Sequence, residues 1–277
     1  MRMIFTFLMC FLFWIKAVSA EVAPQEVQHW DCGTNCKATL YDSGLLKVTP
    51  TAETGEIGEY WAPEVSSTYG RLTDAPWSEY VSDITSVEIA DGITRIGTGT
   101  FTGLKSMTSL QIADTVTSIG YLAFADNSNL QNVKISNSVE TIESFAFSLC
   151  PVGEISLPDT LTTIGAYAFW GTSIPDTNIP DSVTSIGYGA FASIPGTTKL
   201  YCNNINGRCH DMISDTYSGA AHVVDYSIEG GRYVLNGQKY RSLSDMEKNI
   251  NALKRIYSVE EANAAAGQKN TVIIRYK

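Results

Sequence analysis

The chain has 277 residues, of which 44% are hydrophobic and 17% charged, and its formal net charge is -10. That apolar fraction excludes wholesale disorder, and the acidic balance repels phosphate and so excludes nucleic acid as a partner. Abundant Gly, Ser and Thr favour short strands and turns over helical bundles.

Residues 1–20 stand apart. Arg2 gives a positive start, Met3 to Ile15 is apolar except for Thr6 and Cys10, and Ala17-Val18-Ser19-Ala20 ends in small residues. This is the layout of a secretory signal peptide cleaved after Ala20. The apolar run is too short to span a bilayer core of roughly 30 Å at about 1.5 Å per helical residue. Cys10 sits inside that run behind the bulky Phe7-Leu8-Met9, which is no setting for a lipid-bearing cysteine. No other segment is apolar enough to cross a membrane, so the mature chain is expected to be secreted or held at a cell surface without a transmembrane span.

Residues 21–83 carry eleven acids and three bases. Lys37 to Leu40 and Leu45 to Thr49 flank Tyr41-Asp42-Ser43-Gly44 and read as a hairpin around a glycine-containing turn. This segment is expected to be a β-rich N-terminal cap.

The body, residues 84–204, repeats. Phe101, Phe124, Phe147, Phe169 and Phe191 are spaced by 23, 23, 22 and 22 residues, and Ile96, Ile119, Ile142, Ile164 and Ile186 keep the same spacings. About five units can therefore be aligned: ITRIGTGTF from Ile93, VTSIGYLAF from Val116, VETIESFAF from Val139, LTTIGAYAF from Leu161 and VTSIGYGAF from Val183. Before each unit, and once more after the last, lies an alternating pair: Val87 and Ile89, Leu110 and Ile112, Val133 and Ile135, Ile155 and Leu157, Thr177 and Ile179, Leu200 and Cys202. Period two marks a short strand with one buried face. Strands that recur once per unit are too far apart for hairpins, so the expected fold is a mainly β solenoid with parallel strands, wound as a right-handed coil. One unit cannot bury its apolar side chains by itself, and only stacking covers both of its faces.

Two further columns accompany the repeat. Asp91, Asp114, Asn137, Asp159, Asp181 and Asn204 follow the strand positions, where their side chains can bond nearby backbone in a tight turn. A calcium ladder is the alternative, but the glycine-rich nonapeptide of calcium-binding β-rolls is absent. Gly97, Gly120, Gly165 and Gly187 mark a tight bend or close backbone approach, and Glu143 in the same column shows that positive φ is not strictly required there.

Segments such as LPDTLTTIGAYAF (157–169) and IPDSVTSIGYGAF (179–191) resemble the BspA-like leucine-rich repeat, also called the Treponema pallidum type. The resemblance covers about residues 84–204. It implies an exported or surface protein that adheres to host, matrix or cell-surface proteins. The unit of that family often places Cys three residues after its Phe. Cys150 holds that place in a column with Leu104 and Ile194, and reads as a buried free thiol. Cys32-Gly33 and Ala75-Pro76-Trp77 are similar to the leader that precedes such repeats, where Cys32 and Cys36 can form a local disulfide.

Residues 205–277 are less regular and carry eight acids and ten bases. A Cys202–Cys209 disulfide would pin the open end of the solenoid. The competing metal site of Cys202, Cys209 and His210 lacks the close paired spacings of zinc ligands. Ser258-Val259-Glu260-Glu261 is a capping-box pattern opening a short helix through Ala266, and Thr271 to Tyr276 reads as a strand. A small α/β tail or back cap is expected.

The solvent side of the repeat strands should carry Glu88, Gln111, Lys134, Ser156, Asn178 and Tyr201, one per coil. This row is the candidate ligand-facing surface, with proteins or glycoproteins as partners. A self-associating envelope or matrix component is the alternative. No catalytic residue or cofactor is expected: His29, His210 and His222 lie outside the repeats, and no nucleophile elbow, metalloprotease helix or phosphate loop occurs.

Overall fold

A computed structural model describes residues 23–60, 74–153, 155–195, 198–203, 222–229, 232–235, 238–242, 245, 246 and 248. The expected signal peptide, Asn204, Cys209, His210 and the expected elements at 258–276 lie outside these residues.

The front of the chain supplies β1 (Glu26–Asp31), β2 (Gly33–Thr34), β3 (Cys36–Tyr41), β4 (Leu45–Pro50) and β5 (Gly55–Ile57). The repeats supply β6 (Ser86–Ile89), β7 (Ile93–Ile96), β8 (Ser109–Ile112), β9 (Ser118–Ile119), β10 (Asn132–Lys134), β11 (Thr141–Ile142), β12 (Thr163–Ile164), β13 (Thr177–Ile179), β14 (Ser185–Ile186) and β15 (Lys199–Asn203). β16 (His222–Glu229), β17 (Arg232–Leu235) and β18 (Gln238–Tyr240) follow.

These strands form a β-solenoid. One sheet runs β1-β3-β4-β6-β8-β10, and a second runs β14-β12-β11-β9-β7-β5-β2. Within the repeats every pairing is parallel and joins equivalent residues of successive coils: Val87 with Leu110, Leu110 with Val133, Ile119 with Ile142, and Ile142 with Ile164. The front unit pairs β3 with β4 as an antiparallel hairpin, and β4 then lies parallel to β6. Gly44 turns that hairpin at φ +81°, a conformation L side chains rarely adopt. A third sheet, β13-β15-β16-β17-β18, is parallel as far as β16 and antiparallel beyond it.

The expected strand at Ile155 and Leu157 does not join a ladder; among the described residues the first sheet ends at β10 and pairing resumes at β13. Coil four approaches this slot one residue shorter than the two coils before it, with Pro151 in the approach. Proline has no N–H to donate. The side chains keep their places nonetheless, with Leu157 buried and Ile155 packed against the core.

The core is a set of axial columns. Trp77, Phe101, Phe124, Phe147, Phe169 and Phe191 stack face to face, with successive centroids 5.4, 5.3, 5.3, 5.7 and 5.4 Å apart. Beside them Ile96, Ile119, Ile142 and Ile164 are fully buried. A third column, three residues past each Phe, is apolar at its ends and hydrogen-bonding in between: Leu104, Asn127, Cys150, Thr172, Ile194, all buried. Its polar members bond carbonyls of the Phe column, since an unpaired buried polar group is costly. Asn127 Nδ2 donates to Phe101 O and Phe124 O (3.0 and 2.7 Å), Cys150 Sγ to Phe124 O (3.0 Å) and Thr172 Oγ1 to Phe169 O (2.7 Å).

The side of the coil that carries the Phe column is a third ladder built without strands. In each of the first four units the N–H groups two before, at, and two after the Phe donate to carbonyls of the next unit. Phe101 reaches Ala123 (2.8 Å), Phe124 reaches Ala146 (2.9 Å), Phe147 reaches Ala168 (2.8 Å) and Phe169 reaches Ala190 (2.8 Å). The flanking donors Gly99, Gly103, Leu122, Asp126, Phe145, Leu149, Tyr167 and Gly171 bond in the same manner. This requires left-handed backbone at the flanking positions, and all of them, with Gly189 and Ser193, have φ between +55° and +72°. Only about half are glycine. Leu122, Phe145 and Tyr167 hold the left-handed conformation against a steric cost of roughly 1–2 kcal/mol each.

The Gly97 column has a different cause. A Cβ on Gly165 would stand 2.3 Å from Ser144 N, and one on Gly187 2.2 Å from Ala166 N. Close backbone approach, not positive φ, demands glycine here.

Candidate binding surface

The first sheet turns its polar side outward over a depression of about 1080 Å³ spanning β4, β6, β8 and β10. The alternation that buries Val87, Leu110 and Val133 leaves Glu88, Gln111 and Lys134 on the open side, in register with one another. Gln111 and Lys134 are exposed and Glu88 half-buried. Ser156 and Asn178 are also exposed, and line a second depression of about 320 Å³ with Asn137, Asp159 and Asp176. Along one rim Asp114 Oδ1 accepts the Asn137 N–H at 3.3 Å, so the acid and amide turn residues link one coil to the next.

Tyr201 departs from this row. It is in register with Asn178 but only 1% exposed. Its strand, β15, lies between β13 and β16 in the third sheet. The open row therefore comprises Glu88, Gln111, Lys134, Ser156 and Asn178.

The front unit extends the row at the other end. Lys47 is in register with Glu88, and its Nζ lies 2.7 Å from the Glu88 carboxylate. Lys47 alternates with buried Leu46 and Val48, the same period-two signal as the repeat strands, which would have placed it on this face. Asp176 is similarly engaged: it accepts the Lys199 N–H at 2.8 Å and lies 3.2 Å from Lys199 Nζ. Lys199 itself is buried.

The cysteines are structural. Cys32 and Cys36, the latter the first residue of β3, are joined by a disulfide. Cys202 is disulfide-bonded, and Cys209 lies outside the described residues. Cys150 is free, and burial pushes its thiol up to about 12, so it stays protonated at neutral pH. At the front edge Glu59 is held below the usual carboxylate range. Burial acts in the opposite sense, but hydrogen bonds from Thr98 and Arg95 and the Arg95 charge outweigh it. The Thr98 N–H reaches Glu59 at 2.7 Å and Arg95 pairs with it at 2.5 Å.

Stacked coils of 22–23 residues joined by parallel pairing define a leucine-rich-repeat scaffold, a class that generally serves protein–protein interaction. Residues 79–198 match the BspA type leucine rich repeat region, in six copies. The structure is similar to a leucine-rich repeat protein from Eubacterium ventriosum, at 26% identity and a TM-score of 0.57, over 74% of this chain and 47% of that one. It is also similar to a leucine-rich repeat protein of T. pallidum, at 22% identity and a TM-score of 0.39, over 74% of this chain and 91% of that one. A leucine rich cell surface protein from Faecalibacterium prausnitzii matches at 21% identity and a TM-score of 0.38, over 76% of this chain and 60% of that one. The chain thus spans about half the length of the E. ventriosum protein. No curated protein matches it.

Proposed function

We propose that this is an exported, non-enzymatic adhesion protein whose concave sheet face docks a protein or glycoprotein on a host, matrix or neighbouring cell. The observation that carries this reading is the register of Glu88, Gln111 and Lys134 across a concave surface, one side chain per coil. Such a row varies its chemistry without disturbing the buried columns beneath, so recognition and folding are separated. Export is supported by the layout of residues 1–20, and no helix among the described residues is long and apolar enough to cross a membrane.

The test is capture of immobilised matrix, mucin and cell-surface proteins by residues 21–277. Against any protein bound, a Gln111→Ala, Lys134→Ala, Ser156→Ala triple variant should bind at least tenfold more weakly with an unchanged melting temperature. Undiminished binding by the folded triple variant would remove this face as the site.

A further inference from the structure

We propose that coil four is a hinge in the concave wall of the solenoid, a rung that opens and closes and so lets the face change its curvature. This goes beyond the concave-face reading and holds whatever that face binds.

The wall is cut at one place. Among the described residues β10 pairs only with β8 and β13 only with β15, so a strand edge faces the slot of residues 155–157 from either side. Among the same residues no hydrogen bond reaches the main chain of Ile155, Ser156 or Leu157. The coil is not displaced as a whole. Its ladder entry is made, with the Gly153 N–H donating to Gln131 O at 2.9 Å, as the Thr108 N–H does to Thr85 O in coil two. Leu157 is buried and Ile155 packs against the core.

The other two walls run through coil four without a break. β12 pairs with both β11 and β14. On the Phe side, Phe147 N–H donates to Ala168 O and Phe169 N–H to Ala190 O, each at 2.8 Å. Stretching a paired wall along the solenoid axis breaks its hydrogen bonds, so a paired wall resists bending. A wall cut at one rung has no such resistance there, and the two intact walls opposite become the pivot. The concave face is therefore two plates, one ending at β10 and one beginning at β13, joined through coil four.

Two opposed demands act on the rung. The main chain at buried Leu157 has no partner while the rung is open, and buried main-chain groups without partners are costly. The connections that lead into coils four and five pull the other way. Phe147 to Ile155 and Phe169 to Thr177 each take eight residues, against nine for Phe101 to Leu110 and Phe124 to Val133. Pro151 and Pro175 stiffen the two short connections. Pairing draws on the short connections and opening relieves them. Such a balance gives two states of similar free energy, between which the face moves as a hinge.

The test uses residues 21–277. Amide exchange at Ile155 and Ser156 should be at least a hundredfold faster than at Leu110 and Gln111, their equivalents in coil two. Spin-label pairs then read the motion, with buried Cys150 left unlabelled. Glu88→Cys with Lys134→Cys spans two paired rungs, and Lys134→Cys with Asn178→Cys spans two rungs across the cut, each about 10 Å. The second distance distribution should be at least twice as wide as the first. Inserting one glycine after Gly153 lengthens the approach to coil four, and should slow exchange at Ile155 at least tenfold and narrow the second distribution. Slow exchange at Ile155 and Ser156 in the unmodified chain would mean that the rung is closed throughout. Fast exchange with equal widths would mean that it is fixed open. Either result overturns the hinge, and a wide distribution that the added glycine leaves unchanged would refute the short connection as its cause.

Discussion

The ring of Tyr167 lies over the backbone of Gly189, where a Cβ would stand 2.5 Å from ring Cε1. Gly189 also has φ +65°. Gly189→Ala therefore meets two penalties, a left-handed backbone and a steric clash, and should destabilise the protein by about 2–4 kcal/mol. A Tyr167→Ala, Gly189→Ala pair should recover the steric part relative to the sum of the single changes, while the backbone part persists. Urea denaturation of the three variants measures the split; strict additivity would show that the ring does not impose the glycine.

Phe147 sits between Phe124 and Phe169 at 5.3 and 5.7 Å and is fully buried. Removing a ring from the middle of a stack opens a cavity that its neighbours cannot close without bending the coil. Phe147→Ala should cost about 3–5 kcal/mol, whereas Tyr188→Ser, at an exposed ring outside this stack, should fall within about 0.5 kcal/mol of the parent. Thermal melts followed by circular dichroism would check the contrast, and comparable losses at both positions would contradict the spine.

These two residues also mark how far the sequence could be read. The Phe and Ile columns were legible because each is one residue type repeated at intervals of 22–23 residues, and their burial follows from periodicity alone. Gln111 and Lys134 were legible for the same reason, as the alternates of buried neighbours. The left-handed positions were not, because the columns that require positive φ contain Leu122, Phe145, Tyr167, Asp126 and Leu149 as well as glycine. The glycine-rich column at Gly97 reflects backbone contact between coils instead. Tyr201 alternates with buried Leu200 and Cys202 and so reads as outward-facing, yet it is itself buried, which period-two alternation has no means of showing. The missing rung at Ile155 left its apolar alternation intact, so the pattern had no means of revealing the lost pairing.

Cys150 offers a chemical check on the interior. Its thiol is pushed up to about 12 by burial and donates to Phe124 O. A protonated, enclosed thiol is a poor nucleophile. Native protein at pH 8 should react with a disulfide-exchange reagent at Cys150 at least a hundredfold more slowly than a free thiol does, with full reaction after unfolding in guanidinium. Mass mapping of the modified peptide identifies the site, and rapid native labelling of Cys150 would place it outside the core.

Glu59 gives the stability a pH dependence of definite sign. Its carboxyl is held below the ordinary value of 4.5 in the folded chain, because the Thr98 bonds and Arg95 favour the charged form over the cost of burial. A group depressed on folding stabilises the protein fully above its unfolded pKa and loses that contribution as pH falls through the folded one. Between pH 7 and 5 stability should not respond to this group, and below about pH 4.5 it should decline. Glu59→Gln removes the titration while keeping most of the shape, so the variant should be less stable than the parent at pH 7 but lose less on acidification. Urea midpoints at pH 7, 5, 4 and 3 for both proteins settle the matter, and parallel curves across the whole range would mean that the Thr98 and Arg95 contacts exert no net hold on the carboxylate.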